Sequence, residues 1–133
     1  MLLDTSALLA VLLDEPSRPA LIRVTQGQAL RAAPTLPWEL GNALVAGFRR
    51  HRLSAEEVRA AWASFGAVPV QLVEVSVPRA LDLALAAGVY AYDGYVLEAA
   101  RHQRLALLTL DRALARAAAR LGLATVEVDL DGI

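Results

Sequence analysis

The chain has 133 residues, the size of one domain with no room for two, and 56% of them are apolar, which excludes disorder as the main state. Its thirteen basic residues are all arginine, so there is no lysine for a phosphate loop, a Schiff base or a general base. With no cysteine there is no disulfide, thiol nucleophile or thiolate metal site, and a formal charge of −1 exerts no global pull on nucleic acid.

In chain order, residues 1–3 read as a short buried strand. Met1-Leu2-Leu3-Asp4 lacks a basic n-region and carries an acid at its fourth position, a poor secretory signal. The longest aliphatic run, residues 7–13, is far short of a bilayer span, so a cytoplasmic location away from membranes is expected. Residues 29–33, ahead of Pro34, form a weaker strand candidate. Pro37 suits a first helical position and precedes the stripe Leu40, Ala43, Leu44, Gly47, Phe48. Ser54 with Glu57 spells a capping box before a second stripe, Val58, Ala61, Trp62, Phe65.

Residues 67–75 contain another strand, followed by the helical stripe Leu81, Ala84, Leu85, Gly88. Asp93 opens a helix through Val96, Leu97 and Ala100. Residues 105–110 form a further strand, Leu114, Ala117, Ala118 and Leu121 a last stripe, and residues 124–128 a last strand. Alternating strands and helices predict an α/β fold, a three-layer α/β/α sandwich with a central mainly parallel sheet, in a single domain over residues 1–133.

In such a sheet the working edge lies beyond the C-terminal ends of the strands. Asp4 follows the first strand, Glu39 lies in the first turn after Pro37, Asp93 opens a helix, and Asp111 ends residues 105–110. Each alone has a structural explanation as a cap, a helix-dipole partner or an Asx turn. Glu57 is wholly explained by its capping box, and Glu56, Asp82 and Glu98 read as solvated. Four acids meeting at one edge are different, because nearby carboxylates repel unless a cation is present. Oxygen-only donors, with two widely separated histidines, suit Mg²⁺ or Mn²⁺ and not structural zinc. A hard cation there lowers the pKa of a water and stabilises charge on a phosphoryl oxygen, which points to phosphodiester hydrolysis.

Four segments stand in register over nearly the whole chain: Met-Leu-Leu-Asp4-Thr-Ser-Ala-Leu-Leu, Leu-Pro-Trp-Glu39-Leu-Gly-Asn-Ala-Leu, Ala-Tyr-Asp93-Gly-Tyr-Val-Leu-Glu-Ala-Ala and Leu-Leu-Thr-Leu-Asp111-Arg-Ala-Leu. Together they resemble the PIN-domain family, and within it the VapC-type toxins of prokaryotic toxin–antitoxin pairs. The resemblance implies a Mg²⁺- or Mn²⁺-dependent endoribonuclease whose metal-activated water attacks RNA in an acidic pocket. Asp4 and Asp93 would be the principal metal ligands, and Glu39 and Asp111 would complete the catalytic set directly or through water. Ser6 would orient Asp4 or cap the next helix, Asn42 would order Glu39 or touch RNA, and Thr109 would support Asp111. Gly94, where many relatives carry a bulkier residue, would loosen its helix start. The partners implied are an RNA substrate and a cognate antitoxin.

Arg49, Arg50 and Arg52 form the densest basic stretch, which is read equally as a helix-dipole complement and as an RNA contact. Arg112, Arg116 and Arg120 read as a solvated face, His51 and His102 as surface residues. Tyr90, Tyr92 and Tyr95 surround Asp93, as core-edge anchors or as rings that stack on a base. Residues 7–13 and the Val58–Trp62–Phe65 stripe are expected to leave apolar surface for a homodimer contact and an antitoxin helix. A haloacid-dehalogenase-like phosphatase is excluded because Ser6 stands where its second acid belongs. A nucleotide-binding module lacks its glycine-rich first turn. A catalytically inactive α/β binding or regulatory module with a structural acid cluster is the remaining alternative.

Overall fold

The computed structural model describes residues 1–130; residues 131–133, the end of the expected domain, lie outside the described residues. Four short strands, β1 (Leu2–Leu3), β2 (Leu30–Ala32), β3 (Val70–Leu72) and β4 (Leu107–Leu108), form a parallel sheet in the order β3-β2-β1-β4. Leu2 registers with Arg31 and Leu107, and Leu3 with Ala32 and Leu108, so β1 lies in the interior of the sheet.

Because successive strand residues face opposite ways, Leu2 and Leu107 feed one layer and Leu3 and Leu108 the other. The first pair packs with α5 (Val77–Ala87), α6 (Ala91–Gln103) and α7 (Arg112–Arg120), through Ala87, Leu97, Ala100, Leu114 and Ala118. The second packs with Ala7 and Ala10 of α1 (Thr5–Leu12) and Leu21 of α2 (Arg18–Thr25). α3 (Leu36–Arg49) and α4 (Ala55–Phe65) add Leu36, Leu40, Leu44 and Ala61 around Leu8 and Ala32. The α/β/α arrangement expected from sequence is thus present. The Ser54–Glu57 capping box is closed, with Glu57 N–H donating to Ser54 Oγ at 3.0 Å and Ser54 N–H to Glu57 Oε1 at 2.9 Å.

Several expectations need correction. The strands are shorter than their apolar runs, and residues 124–128 contribute a single parallel bridge, Thr125 to Leu107. α1 and α2 were not legible as helices, since one is apolar on nearly every face and the other is two turns long with a proline near its start. Residues 7–13 are not open surface: Ala7, Leu8 and Ala10 are buried, and Leu9, Leu12 and Leu13 pack against the α3–α4 core together with Val58 and Phe65. Trp62 remains half exposed against Phe65, and other exposed large apolar side chains lie on α3 (Val45, Phe48) and α5 (Val77, Leu81, Leu85).

Glu98 is not solvated. Only 1% of it is exposed, and it accepts a bidentate pair from Arg101, at 2.7 Å from Nε and 2.8 Å from Nη2, which makes burial of its charge tolerable. Arg112, Arg116 and Arg120 are all exposed, as expected, and Arg120 in addition donates to the carbonyl of Ala87 at 2.8 Å and closes the carboxyl end of α5.

Gly94 reverses its expected role. A Cβ built there would lie 2.6 Å from the Ala80 carbonyl oxygen and 3.0 Å from Ala84 Cβ. The missing side chain therefore lets the first turn of α6 press against α5, where Ala80, Ala84 and Ala87 are also small and buried. Gly94→Ala should recover up to about 1 kcal/mol of helix propensity and lose roughly 1–3 kcal/mol to overpacking against backbone. Denaturant unfolding is expected to show net destabilisation; equal or greater stability would contradict the close-packing role.

Candidate active site

Four helices begin at the carboxyl edge of the sheet, and each brings one acid. Asp4 caps α1, Asp111 caps α7, and Glu39 and Asp93 sit in the first turns of α3 and α6. All four line one cleft of about 420 Å³. The helix N-termini supply partial positive charge toward these carboxylates. No arginine or histidine lines the cleft among the described residues.

Asp4 is the most buried of the four, with 6% exposure. Its Oδ1 accepts from the Ala7 N–H at 3.1 Å, Ser6 Oγ donates across both carboxylate oxygens at 2.8 and 2.9 Å, and Thr109 Oγ1 donates to Oδ2. Each hydroxyl has one proton, and both point at Asp4. The 3.2 Å approach between the two hydroxyl oxygens is then a contact and carries no shared proton. Ser6 Oγ accepts from Leu110 N–H at 2.9 Å, and Thr109 Oγ1 accepts from Asp111 N–H at 3.0 Å. Two chains of fixed direction thus run from the backbone after β4, through a hydroxyl, to the carboxylate after β1.

The other acids are held differently. Glu39 Oε2 accepts from Thr5 Oγ1 at 3.0 Å, which links α3 to α1. Asp111 uses Oδ1 to cap Ala113 and Leu114, at 2.9 and 3.1 Å. Tyr90 is the N-cap of α6 without a side-chain bond, and Asp93 makes no capping bond either. The capping explanation weighed for Asp93 therefore does not account for it.

Burial pushes the Asp4 carboxyl above its ordinary value; the bonds from Thr109, Ser6 and Ala7 oppose this, and the charge of Asp111 adds to it. Burial likewise raises Glu39, opposed by Thr5 and reinforced by Asp93 and Asp4. Asp93 is raised by burial and then by Asp111 and Asp4. The cleft is thus a set of mutually repelling oxygen donors without a basic partner, which fits a hard cation. Among the described residues no group of three or more His, Cys, Asp or Glu side chains is placed to hold a metal ion as the side chains stand.

Asn42 lines the cleft and is exposed, one turn after Glu39. Thr109 lies behind Asp4 and touches both Asp4 and Asp111. Arg49, Arg50 and Arg52 are exposed but absent from the cleft lining. Arg49, the last residue of α3, follows Glu39 by ten residues, roughly 15 Å along the helix axis, and Arg50 and Arg52 lie just past that helix end. Sequence reasoning did not single out Thr5 or Trp38. Thr5 directly follows Asp4, and its hydroxyl needed a partner; Trp38 precedes Glu39, and a ring beside an acid was the available signal.

The family model described as PIN domain matches residues 1–120. Among solved structures, the chain is similar to PAE2754 from Pyrobaculum aerophilum, with 26% identity and a TM-score of 0.67 over 87% of this chain and 77% of that one. It is also similar to a chain of a toxin–antitoxin complex from Klebsiella pneumoniae, with a TM-score of 0.54 over 83% of this chain and 85% of that one. At 18% identity, this likeness is one of fold alone. No curated protein sequence matches the chain.

The raised carboxyl pKa values fix a stability profile for the metal-free protein. Stability held below the ordinary aspartate value of 3.8 is lost as pH rises through the elevated folded-state values, because the folded state binds its protons more tightly. At neutral pH, Mg²⁺ or Mn²⁺ should therefore raise the thermal midpoint, by adding about 2.7 kcal/mol to the unfolding free energy at a hundredfold excess over Kd. The gain should shrink near pH 4. Asp93→Asn should stabilise the metal-free protein at neutral pH and blunt the metal response. Thermal melts across pH with and without metal test this; a metal response that is independent of pH and of Asp93 would contradict it.

Proposed function

The chain belongs to the PIN-domain family, whose members are typically nucleases, and from that premise we propose that it is a divalent-metal-dependent endoribonuclease. The observation that carries the proposal is the assembly of Asp4, Glu39, Asp93 and Asp111 in one cleft with no basic side chain in its lining. Asp4 and Asp93 are proposed as the principal ligands, with Glu39 and Asp111 completing the set directly or through water. Mg²⁺ or Mn²⁺, when bound, supplies charge stabilisation at a phosphoryl oxygen and makes water a better nucleophile.

The chain's own residues do the positioning. Ser6 and Thr109 each spend their single proton on Asp4, which opposes the upward push of burial on its carboxyl and keeps it from swinging. Thr5 holds Glu39 through one oxygen and leaves the other for a water or ligand. Asp111 divides its carboxylate between the cap of α7 and the cleft. No side-chain nucleophile is invoked, because Ser6 is consumed in orienting Asp4 and, among the described residues, no histidine lines the cleft.

We further propose that the protein is the toxin of a type II toxin–antitoxin pair, acting in the cytoplasm, and that it forms a homodimer and binds a cognate antitoxin. Support comes from the four motifs in register and from the fold shared with the Klebsiella pneumoniae chain, itself part of a toxin–antitoxin complex. Among the described residues no helix is long and apolar enough to cross a membrane.

Purified protein, freed of any partner, should generate new RNA ends from total cellular RNA with Mg²⁺ or Mn²⁺ and not with EDTA, as mapped by sequencing. An Asp4→Asn/Asp93→Asn variant should lose at least a hundredfold in rate, the scale on which charge stabilisation of a transition state operates. Absence of new ends from well-folded protein would favour the inactive binding-module reading.

A further inference from the structure

The cleft presents a difficulty for any nucleic acid. Its charged lining is wholly anionic among the described residues, no arginine contributes to it, and the Arg49–Arg52 stretch lies at the far end of α3. Backbone neutralisation, the usual source of affinity for a polyanion, is therefore weak at the point where a strand must enter. Two large aromatic side chains line the same cleft and remain open to solvent: Trp38 of α3, 73% exposed, and Tyr92 of α6, 59% exposed. Neither is needed by the core, since the α3 core is built from Leu36, Leu40 and Leu44.

Both rings stand beside an acid of the cleft. Trp38 immediately precedes Glu39, and Tyr92 immediately precedes Asp93. Tyr92 is also preorganised: Tyr95, half buried against the core, meets it edge-on with ring centroids 5.9 Å apart and planes at 85°. Such a contact fixes the ring while leaving aromatic surface free for another partner. Stacking on a nucleobase is neutral in charge and tolerant of sequence, so it works where phosphate contacts do not.

Resting on the nuclease reading of the same cleft, we propose that Trp38 and Tyr92 are stacking platforms for nucleobases, and that they hold the strand at Glu39 and Asp93 through its bases. Bases held on the two rings keep the intervening backbone beside Glu39 and Asp93 despite the repulsion of the carboxylates. A base-paired strand keeps its bases in its own stack and offers neither ring a partner. Trp38 and Tyr92 are thus positioning residues, and the acids remain the chemical machinery.

The chain has two tryptophans, so Trp62→Phe leaves Trp38 as the single indole reporter. With cleavage suppressed by Asp93→Asn, a short single-stranded oligoribonucleotide should quench Trp38 fluorescence saturably. An abasic strand of equal length and the matching duplex should not. By anisotropy of the labelled strand, Trp38→Ala and Tyr92→Ala should each weaken binding about 5- to 150-fold, the range one base–aromatic stack is worth. Trp38→Phe should restore most of it, and circular dichroism checks that each variant is folded. Equal binding of abasic and base-bearing strands, or full affinity in both alanine variants, would overturn the proposal. If the wild type still cleaves RNA in that case, the stacking proposal falls and the nuclease reading stands. Base-dependent quenching in a protein that cleaves no RNA would support stacking and remove the nuclease reading.

Discussion

A carboxylate buried without a counter-charge is the constraint on which the rest of this structure depends. Asp4 follows the interior strand, is almost wholly enclosed, and has no basic neighbour in its cleft. Three donors hold it, and the two hydroxyls are themselves fixed by backbone N–H groups of Leu110 and Asp111. The same set of bonds joins the end of β1 to the end of β4 and aligns the caps of α1 and α7. Fold and site are thus one object here: the bonds that make burial of Asp4 tolerable also set where Asp111 begins its helix. What those bonds do not cancel is burial, reinforced by repulsion between the acids, which leaves Asp4, Glu39 and Asp93 all shifted toward the protonated form.

Much of this was legible in the sequence because parallel α/β proteins write their edge in a fixed place. An acid after a short apolar strand, or at the first turn of a periodic helix, falls on the carboxyl edge whatever the details of packing. Asp4, Glu39, Asp93 and Asp111 all follow that rule, and the cleft collects them. The strands were overextended because apolar runs continue past the residues that pair, as at residues 67–75, where Val70, Gln71 and Leu72 pair and Val73 alone of the flanking residues is buried. α1 and α2 escaped notice for opposite reasons, one lacking a polar face and the other lacking length.

Three further differences share a cause: sequence spacing does not reveal which neighbour a side chain meets. Glu98 looked solvated, yet it is buried beside Arg101. Gly94 looked like a weak helix start and is the residue that lets α5 and α6 approach. Residues 7–13 looked like spare apolar surface and are consumed in two of the core clusters. In the site, Thr5 and Thr109 do more than their positions suggested, because their partners lie 34 and 105 residues away.

Whether the four carboxylates act as one cation site is decided by crystals grown with Mn²⁺ and measured for anomalous scattering. An anomalous peak is expected inside the cleft, bounded by Asp4 and Asp93, and absent from the Asp4→Asn/Asp93→Asn variant. A cleft empty of metal at saturating Mn²⁺, or ions bound only at acids elsewhere on the surface, would contradict it.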